Sequence, residues 1–146
     1  MQYLKGAFAL HIKFATSHQY LFSHHQVQHA LIIWDKESRK DIYLVDTETP
    51  DTLTLRYPGE TYRERLLDEL EPYFFQVLLT EDDSEIAVIL GATFDFQDQL
   101  VGMYYSKTEK HTPYFFYLQN GQLLDILEID YTAVIEQFRL LYPQML

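Results

Sequence analysis

The dipeptide Asn120-Gly121, flanked by two apolar runs within residues 114–130, constrains the fold of this 146-residue chain more than any other feature. Asn and Gly occupy the two positive-φ positions of a type I′ turn at little steric cost, so the sequence predicts a two-residue β-hairpin. The turn fixes the register, which pairs Leu118 with Leu123, Tyr117 with Leu124, Phe116 with Asp125 and Phe115 with Ile126. We expect this hairpin to lie at the centre of the sheet.

Further apolar runs separated by turn-like segments predict a sheet that is built from hairpins. The expected strands cover residues 6–14, 27–34, 41–45, a short edge strand at 52–56, a buried strand at 73–80, and strands at 85–90 and 100–106. Residues 16–26 lose the alternation of apolar and polar side chains, and a loop or short helix is expected there. Gly91 is expected to interrupt the chain between strands.

Two helices are expected, one in each half of the chain. Thr61 and Glu64 have the spacing of a capping box, which predicts a helix over 61–71 that ends at Pro72. Asp130 is expected to cap a second helix over 131–141, which ends before Pro143. Consecutive strands with helices at separate points predict an α+β fold, with a mainly antiparallel sheet, helices on one face and a single domain over 1–146.

The composition indicates a folded protein that does not depend on cysteine chemistry. The chain is 47% hydrophobic and 16% aromatic, which is unlike a disordered segment. It has no cysteine, so disulfides and thiolate catalysis are excluded. We expect a cytoplasmic location, because a chain without cysteine shows no sign of adaptation to an oxidising compartment. The first twenty residues lack the pattern of a signal peptide, and no apolar stretch approaches the roughly 18–20 residues of a membrane span.

The charge of the chain is negative and unevenly distributed. The net charge is −11, and residues 74–146 hold 11 acidic against 3 basic residues. Such a field repels nucleic acid and anionic lipid, so neither is expected as a partner, whereas a basic protein would be attracted. Ordinary solubility is the more common cause of an acidic composition and remains the alternative.

Clusters of histidines and of carboxylates raise the question of a metal site. His18, His24, His25 and His29 lie close in the sequence, but no HExxH arrangement is present. The run Glu81, Asp82, Asp83 and Glu85 lacks the glycine and ligand spacing of an EF-hand loop. We therefore predict no metal: the histidines belong in and around a loop, and the acidic run is a solvated hairpin tip.

No motif for catalysis or for a cofactor is present in the sequence. None of the serines stands in a GxSxG elbow, and no glycine-rich loop that would hold phosphate is found among the five glycines. No catalytic residue and no cofactor are predicted. The missing motifs weaken the enzyme hypothesis, although catalytic residues often lie far apart in sequence.

The leading hypothesis is a small acidic interaction protein that binds and inhibits a basic protein, as an immunity protein neutralises a nuclease-type toxin. Tyrosine offers large contact area for little lost entropy, and tyrosines beside carboxylates suit a basic partner. The candidate binding residues are Asp95, Asp98, Tyr104, Tyr105, Tyr117 and Asp125, with Tyr114 beside them.

Two alternatives remain open at this point. One is a small enzyme or ligand-binding domain with a pocket between sheet and helices, using His11 or His29 with a carboxylate. The other is a subunit that associates with itself through a sheet edge. A deep pocket with convergent polar groups would favour the enzyme or ligand-binding domain, whereas a flat acidic face would favour the binder of a basic protein.

Overall fold

The computed structural model describes residues 9–12, 19–34, 39–49, 52–80, 82–106, 113–143 and 145. The chain divides into two compact units. Unit 1 consists of Met1–Phe22 and Val27–Glu69, and unit 2 consists of Ser23–Gln26 and Leu70–Leu146. The predicted α+β class, with a mainly antiparallel sheet and two principal helices, is confirmed. That the chain folds as a single domain stays a prediction.

Unit 1 combines five antiparallel strand segments with a helix. The elements are β1 (Ala9–Ile12), β2 (Gln19–His24, whose last two residues belong to unit 2), β3 (Val27–Trp34), β4 (Arg39–Glu48), β5 (Leu53–Arg56) and α1 (Glu60–Leu70). The strands follow the order β1-β5-β4-β3-β2. Side chains that alternate along three of these strands form the cluster Ala30, Ile32, Tyr43 and Leu55. The predicted β3–β4 hairpin is confirmed.

Unit 2 contains a second set of strands and a helix. A 3₁₀ turn (Glu71–Tyr73) leads into β6 (Phe75–Leu79), β7 (Glu85–Phe96), β8 (Gln99–Ser106), β9 (Tyr114–Gln119), β10 (Gln122–Asp125) and α2 (Glu128–Leu141). The antiparallel order is β7-β8-β9-β10, with β6 also on β7. Ser23 and His24 of β2 pair in parallel with Ala92 and Thr93 of β7.

The core of unit 2 lies between α2 and one face of this sheet. Phe115 and Tyr117 of β9 point toward α2, where they meet Val134 and Phe138. Because side chains alternate along a strand, Tyr114 and Phe116 point to the opposite face. The same alternation places Val101 and Met103 of β8 under the helix. α2 therefore covers one face of the sheet, and the opposite face combines buried side chains, such as Tyr104 and Leu118, with the half-buried Tyr114 and Phe116.

The Asn120-Gly121 turn is confirmed, but its hairpin is not central. Asn120 has φ 53° and Gly121 φ 77°, and three of the four expected pairs form: Leu118 with Leu123, Tyr117 with Leu124, and Phe116 with Asp125. The fourth, Phe115 with Ile126, does not form because β10 ends at Asp125. β10 lies at the end of the strand order, and the long, mostly buried β7 takes the interior position.

Residues 19–24 form a strand, so the predicted loop or short helix at 16–26 is wrong there, and residues 16–18 lie outside the described residues. The turn after these residues explains why the strand was not predicted. His25 and Gln26 both have positive φ, at 48° and 69°, and so make a tight connection to β3 without glycine. Gln97 and Asp98 connect β7 to β8 in the same way, with φ of 49° and 63°. The His25-Gln26 turn carries no strong sequence signal, because the residues that favour positive φ are Gly, Asn and Asp. The turn at Gln97-Asp98-Gln99 contains an Asp, and the sequence did predict it.

Three further strand predictions need correction. β5 is not an edge strand, since it lies between β1 and β4. β6 is not buried: its residues alternate between exposed and half-buried, and Leu79 is 75% exposed. Gly91 does not separate two strands, because β7 runs through it with a register shift between Leu90 and Ala92 against β8. Gly91 marks a β-bulge, which shifts the register and lets the strand continue.

Both helices begin earlier than predicted. α1 starts at Glu60, so Thr61 lies inside its first turn and does not cap it. α2 starts at Glu128 after Leu127, which makes no side-chain capping bond, and Asp130 lies in its first turn. A carboxylate in that turn still interacts favourably with the helix dipole. The ends at Leu70 and Leu141 agree with the prolines that follow.

Candidate functional site

A groove lies on the face of the unit 2 sheet that α2 leaves uncovered. Its volume is about 850 Å³, within the range of roughly 300–1,000 Å³ that ligand sites occupy. The lining residues are Gln76, Val77, Leu78, Leu79 and Thr80 at β6, Ile86 on β7, Tyr114 and Phe116 on β9, and Gly121, Gln122, Leu123 and Asp125 at β10. Apolar side chains dominate this surface, and Asp125 is the carboxylate among its described residues.

Tyr73 closes one end of the groove. The Tyr104 hydroxyl on β8 donates to the Tyr73 carbonyl at 2.6 Å, and the Gly121 amide donates to the Tyr73 hydroxyl at 2.8 Å. The Tyr104 ring also meets Phe116 edge-on, with centroids 6.0 Å apart. Tyr73, two residues before β6, is thus bonded to the turn that precedes β10. This bond holds the starts of the two outer strands together at one end of the groove.

The two outer strands of this groove run in the same direction. β6, β7, β8, β9 and β10 are joined by four successive antiparallel pairings, so β6 and β10 are parallel to one another. Among the described residues of unit 2, β6 pairs with β7 alone and β10 with β9 alone. The part of β6 from Gln76 to Leu79 and the whole of β10 therefore each have one edge that takes no part in these strand pairings.

The described part of unit 2 carries an excess of negative charge. The described part of unit 2 has one basic residue, Arg139, against ten carboxylates. The ten are Glu71, Asp82, Asp83, Glu85, Asp95, Asp98, Asp125, Glu128, Asp130 and Glu136. Hydrogen bonds from Thr80 and Ser84 lower the pKa of Asp82 below its usual range. A cationic group near this surface is attracted by several charges at once.

Of the residues that sequence analysis proposed for partner binding, Asp125 lines the groove, as does Tyr114. Asp95 and Asp98 lie at the β7–β8 turn. The Asp95 side chain is 66% exposed, with its Oδ2 3.9 Å from Nδ1 of His25. Phe94 and Phe96 point toward α2, so Asp95 between them points to the groove face of the sheet. Asp95 and Asp125 thus point to the same face of the sheet without forming one cluster, and Asp98 lies in the turn beyond β7.

The three remaining candidates are buried or partly buried. Tyr104 is 0% exposed, so it offers a partner no contact area and instead packs against Phe116, which lines the groove. Tyr117 is buried beneath α2, its hydroxyl 3.5 Å from Oδ2 of Asp130, and burial raises its pKa. Tyr105 is partly buried on the α2 side of β8, where its ring stands so close to Gly91 that a Cβ there would lie 2.9 Å from it.

Leu78, Ile86, Phe116 and Leu123 are groove residues that sequence reasoning missed. The register of the hairpin did contain a signal, because it placed Asp125 opposite Phe116 and Leu123 opposite Leu118 on one face. No sequence signal indicated that Leu78 on β6 and Ile86 on β7 would line the same groove. Their position at the groove depends on the twist of the sheet, which is a property of the whole unit.

The histidines have specific packing roles. His29 is fully buried, donates from Nδ1 to the Val27 carbonyl at 2.7 Å and accepts at Nε2 from the Tyr62 hydroxyl at 2.7 Å. Burial lowers the pKa of His29 and raises that of Tyr62, which agrees with a neutral imidazole and a phenol donor. Nδ1 of His24 lies 2.5 Å from Oγ1 of Thr93, and the His24 and His25 ring centroids are 4.2 Å apart.

His18 and the His11 side chain lie outside the described residues. The absence of a metal therefore stays a prediction. The acidic tip is confirmed as a hairpin turn between β6 and β7: Thr80 donates its amide to the Ser84 carbonyl at 2.8 Å, and Asp82, Asp83 and Glu85 are exposed. Glu81 is not among the described residues.

A buried carboxylate organises unit 1. Asp41 accepts from Nε1 of Trp34 at 2.6 Å, from Nε of Arg39 at 2.8 Å and from Nε of Arg63 at 3.1 Å. Arg63 also donates to the Lys40 carbonyl at 3.0 Å. The two arginines carry two positive charges, and Asp41 offsets one of them. Glu60 at the start of α1 offsets the other, since it contacts Arg39 at 3.2 Å and Arg63 at 3.5 Å. This network joins α1 to the β3–β4 hairpin, and its charges are internally matched.

Comparisons with protein-family models, with curated proteins and with solved structures give no match. Within the described residues, no helix has the length and apolar character needed to cross a membrane. A cytoplasmic location stays a prediction. The groove is neither a pocket of convergent polar groups nor a flat acidic face: it is an apolar surface in acidic surroundings.

Proposed function

We propose that this chain is an acidic interaction protein whose unit 2 binds a basic protein partner through the groove. The observation that carries the proposal is an apolar groove that has Asp125 in its lining and the acidic β6–β7 turn, with Asp82, Asp83 and Glu85, next to Thr80 at its rim. The groove belongs to a unit whose described part has ten carboxylates and one arginine. The apolar lining supplies contact area, and the charge favours encounter with a cationic surface. Among the lining residues that the structure describes, Asp125 is the one carboxylate, and a single carboxylate suits recognition better than acid–base chemistry.

An inhibitory role follows from the same chemistry. A nuclease-type toxin presents a basic surface to its nucleic-acid substrate, and an acidic protein that covers this surface blocks the substrate. We propose this role, that of an immunity protein, as the biological form of the interaction.

Affinity capture from the source cells tests the proposal. The immobilised protein is exposed to extract at low salt, bound proteins are eluted with a salt gradient, and they are identified by mass spectrometry. We expect a basic protein that elutes early in the gradient and that binds again when purified.

The matched baits are the variants Asp125→Lys and Glu136→Lys, which change the net charge equally. Asp125 lines the groove, whereas Glu136 is exposed on α2. The groove variant should lose the partner and the α2 variant should keep it. Equal capture by both baits, or the absence of any basic protein among the captured ones, would contradict the proposal.

A further inference from the structure

We infer that the groove binds an extended basic segment of its partner as an added strand, which enters antiparallel to both β6 and β10 and fills the gap between them. This inference rests on the proposed function and specifies how the partner is recognised. The occupant is a peptide segment in which apolar side chains alternate with Lys or Arg.

The direction of the outer strands supports this mode of binding. The five strands β6 to β10 could form a closed sheet only if β6 paired directly with β10, and that pairing would be parallel because the two strands run in the same direction. A sixth strand between them, running the opposite way, makes every neighbouring pair antiparallel. An even number of strands is what an antiparallel closed sheet requires, and closure removes both exposed edges.

The lining of the groove supports the same conclusion. Leu78 on β6 and Leu123 on β10 line the groove from its two sides, and Phe116 lies between them on β9. A strand placed in the gap would turn every second side chain toward this surface. Added strands gain affinity from main-chain hydrogen bonds and specificity from the pockets that receive alternate side chains.

Length and charge define the segment further. β6 has five residues and β10 has four, so an added strand of about five residues is matched to both. Asp125 lies at the end of β10, and the acidic β6–β7 turn lies beyond the end of β6. Both strands start at the end that Tyr73 closes, so these acids stand toward the open end. A Lys or Arg there meets carboxylates from both sides.

The probe is the peptide acetyl-KVRIKV-amide, whose binding is measured by isothermal titration calorimetry at low salt. Two modified forms carry N-methyl groups, one on the second, fourth and sixth residues and one on the third and fifth. In a strand, each set of amides points to a different neighbour. We expect each set of methyl groups to reduce affinity about tenfold or more, since each removes hydrogen bonds to one edge.

Two controls separate a strand from simple attraction. The peptide acetyl-KRKVIV-amide has the same composition without alternation and should bind much more weakly. The protein variants Asp125→Lys and Glu136→Lys have equal net charge, and only the former should lose binding of acetyl-KVRIKV-amide. Thermal melting of both variants shows whether they are folded.

Each outcome decides the inference. Weakening by both methylated sets, together with a preference for alternation, supports insertion between β6 and β10. Full affinity of either methylated peptide, equal affinity of the block peptide, or no binding of acetyl-KVRIKV-amide overturns it. If a basic protein is captured while either methylated peptide keeps full affinity, the proposed function stands and the added strand fails. If the peptides behave as expected but no basic protein is captured, the proposed function fails instead.

Discussion

Gly121 occupies a backbone conformation that few other residues accept. Its φ of 77° follows the φ of 53° at Asn120, so the turn needs positive φ twice. Gly121→Ala should lower the free energy of unfolding by about 1 kcal/mol or more, because a Cβ disfavours this region. The cost is strain and not a clash, since the nearest side-chain atom to a Cβ there is 4.0 Å away.

Gly121→Asn is the matched control, because asparagine tolerates positive φ better than alanine does. Chemical denaturation of both variants measures the difference. If alanine were no worse than asparagine, the strain argument would fail.

His29 should make stability depend on pH. Burial lowers its pKa below the ordinary value of 6.5. As the pH falls through 6.5, the unfolded chain takes up a proton at this residue while the folded protein does not. The free energy of unfolding should therefore decline below that pH, until the lower pKa of the folded state is reached.

The variant His29→Phe keeps an aromatic ring but loses the bonds to Val27 and Tyr62. At pH 7.5 this variant should be less stable than the original protein by about 1–3 kcal/mol, because the phenol of Tyr62 loses its hydrogen-bond acceptor. Its stability should also decline less between pH 7 and 5, roughly the range in which histidine titrates. Identical pH profiles for the two proteins would show that His29 contributes nothing to the dependence.

At the scale of elements, Asp41 connects α1 to the β3–β4 hairpin. Its side chain is 10% exposed and accepts bonds from Arg39 and Arg63, of which Arg63 is 13% exposed. Asp41→Ala leaves the Arg63 charge without its closest carboxylate and should destabilise the protein by about 3 kcal/mol or more.

Asp46→Ala on the same strand is the control. Asp46 pairs with Arg56 at 3.2 Å, with both side chains more than 30% exposed. Exposed pairs of this kind contribute about half a kcal/mol or less. Urea denaturation of the two variants measures both losses, and equal losses would argue against the structural role of the Asp41 network.

The elements that sequence reasoning predicted well have their determinants close together in the chain. The β9–β10 register follows from two residues at the turn, and the ends of both helices follow from prolines. β2 was missed because His25 and Gln26 adopt positive φ without the residues that favour it. The length of β7 was missed because a bulge carries the strand through Gly91.

The candidate site was predictable in part. Charge asymmetry is visible in the sequence, and so is the pairing that places Asp125 opposite Phe116. The burial of Tyr104 was not visible, because its hydroxyl bonds to a carbonyl that is distant in sequence. The groove depends on contacts between Tyr73 and Gly121, 48 residues apart, and no local pattern indicates such a contact.

At the scale of the whole molecule, the net charge of −11 should govern how a basic partner is encountered. Long-range attraction acts before contact and is screened over about 10 Å at 0.1 M salt. The association rate with the captured basic partner should therefore fall steeply as salt rises, whereas the dissociation rate should change much less. Stopped-flow or surface-binding kinetics over a series of salt concentrations measures both rates.

The position of the charges should matter as well as their sum. Asp95 and Asp98 lie at the end of the β7–β8 hairpin, where Asp95 points to the face of the sheet that carries the groove, whereas Glu128 and Glu136 lie on α2. Reversal of either pair to lysine changes the net charge by the same amount. Reversal of the aspartates should slow association more than reversal of the glutamates, because their charges stand nearer to the approach of the partner. Stability should change by only about half a kcal/mol in both cases, since all four side chains are exposed.

If association with the basic partner is indifferent to salt and to both reversals, the charge serves solubility alone and does not guide binding.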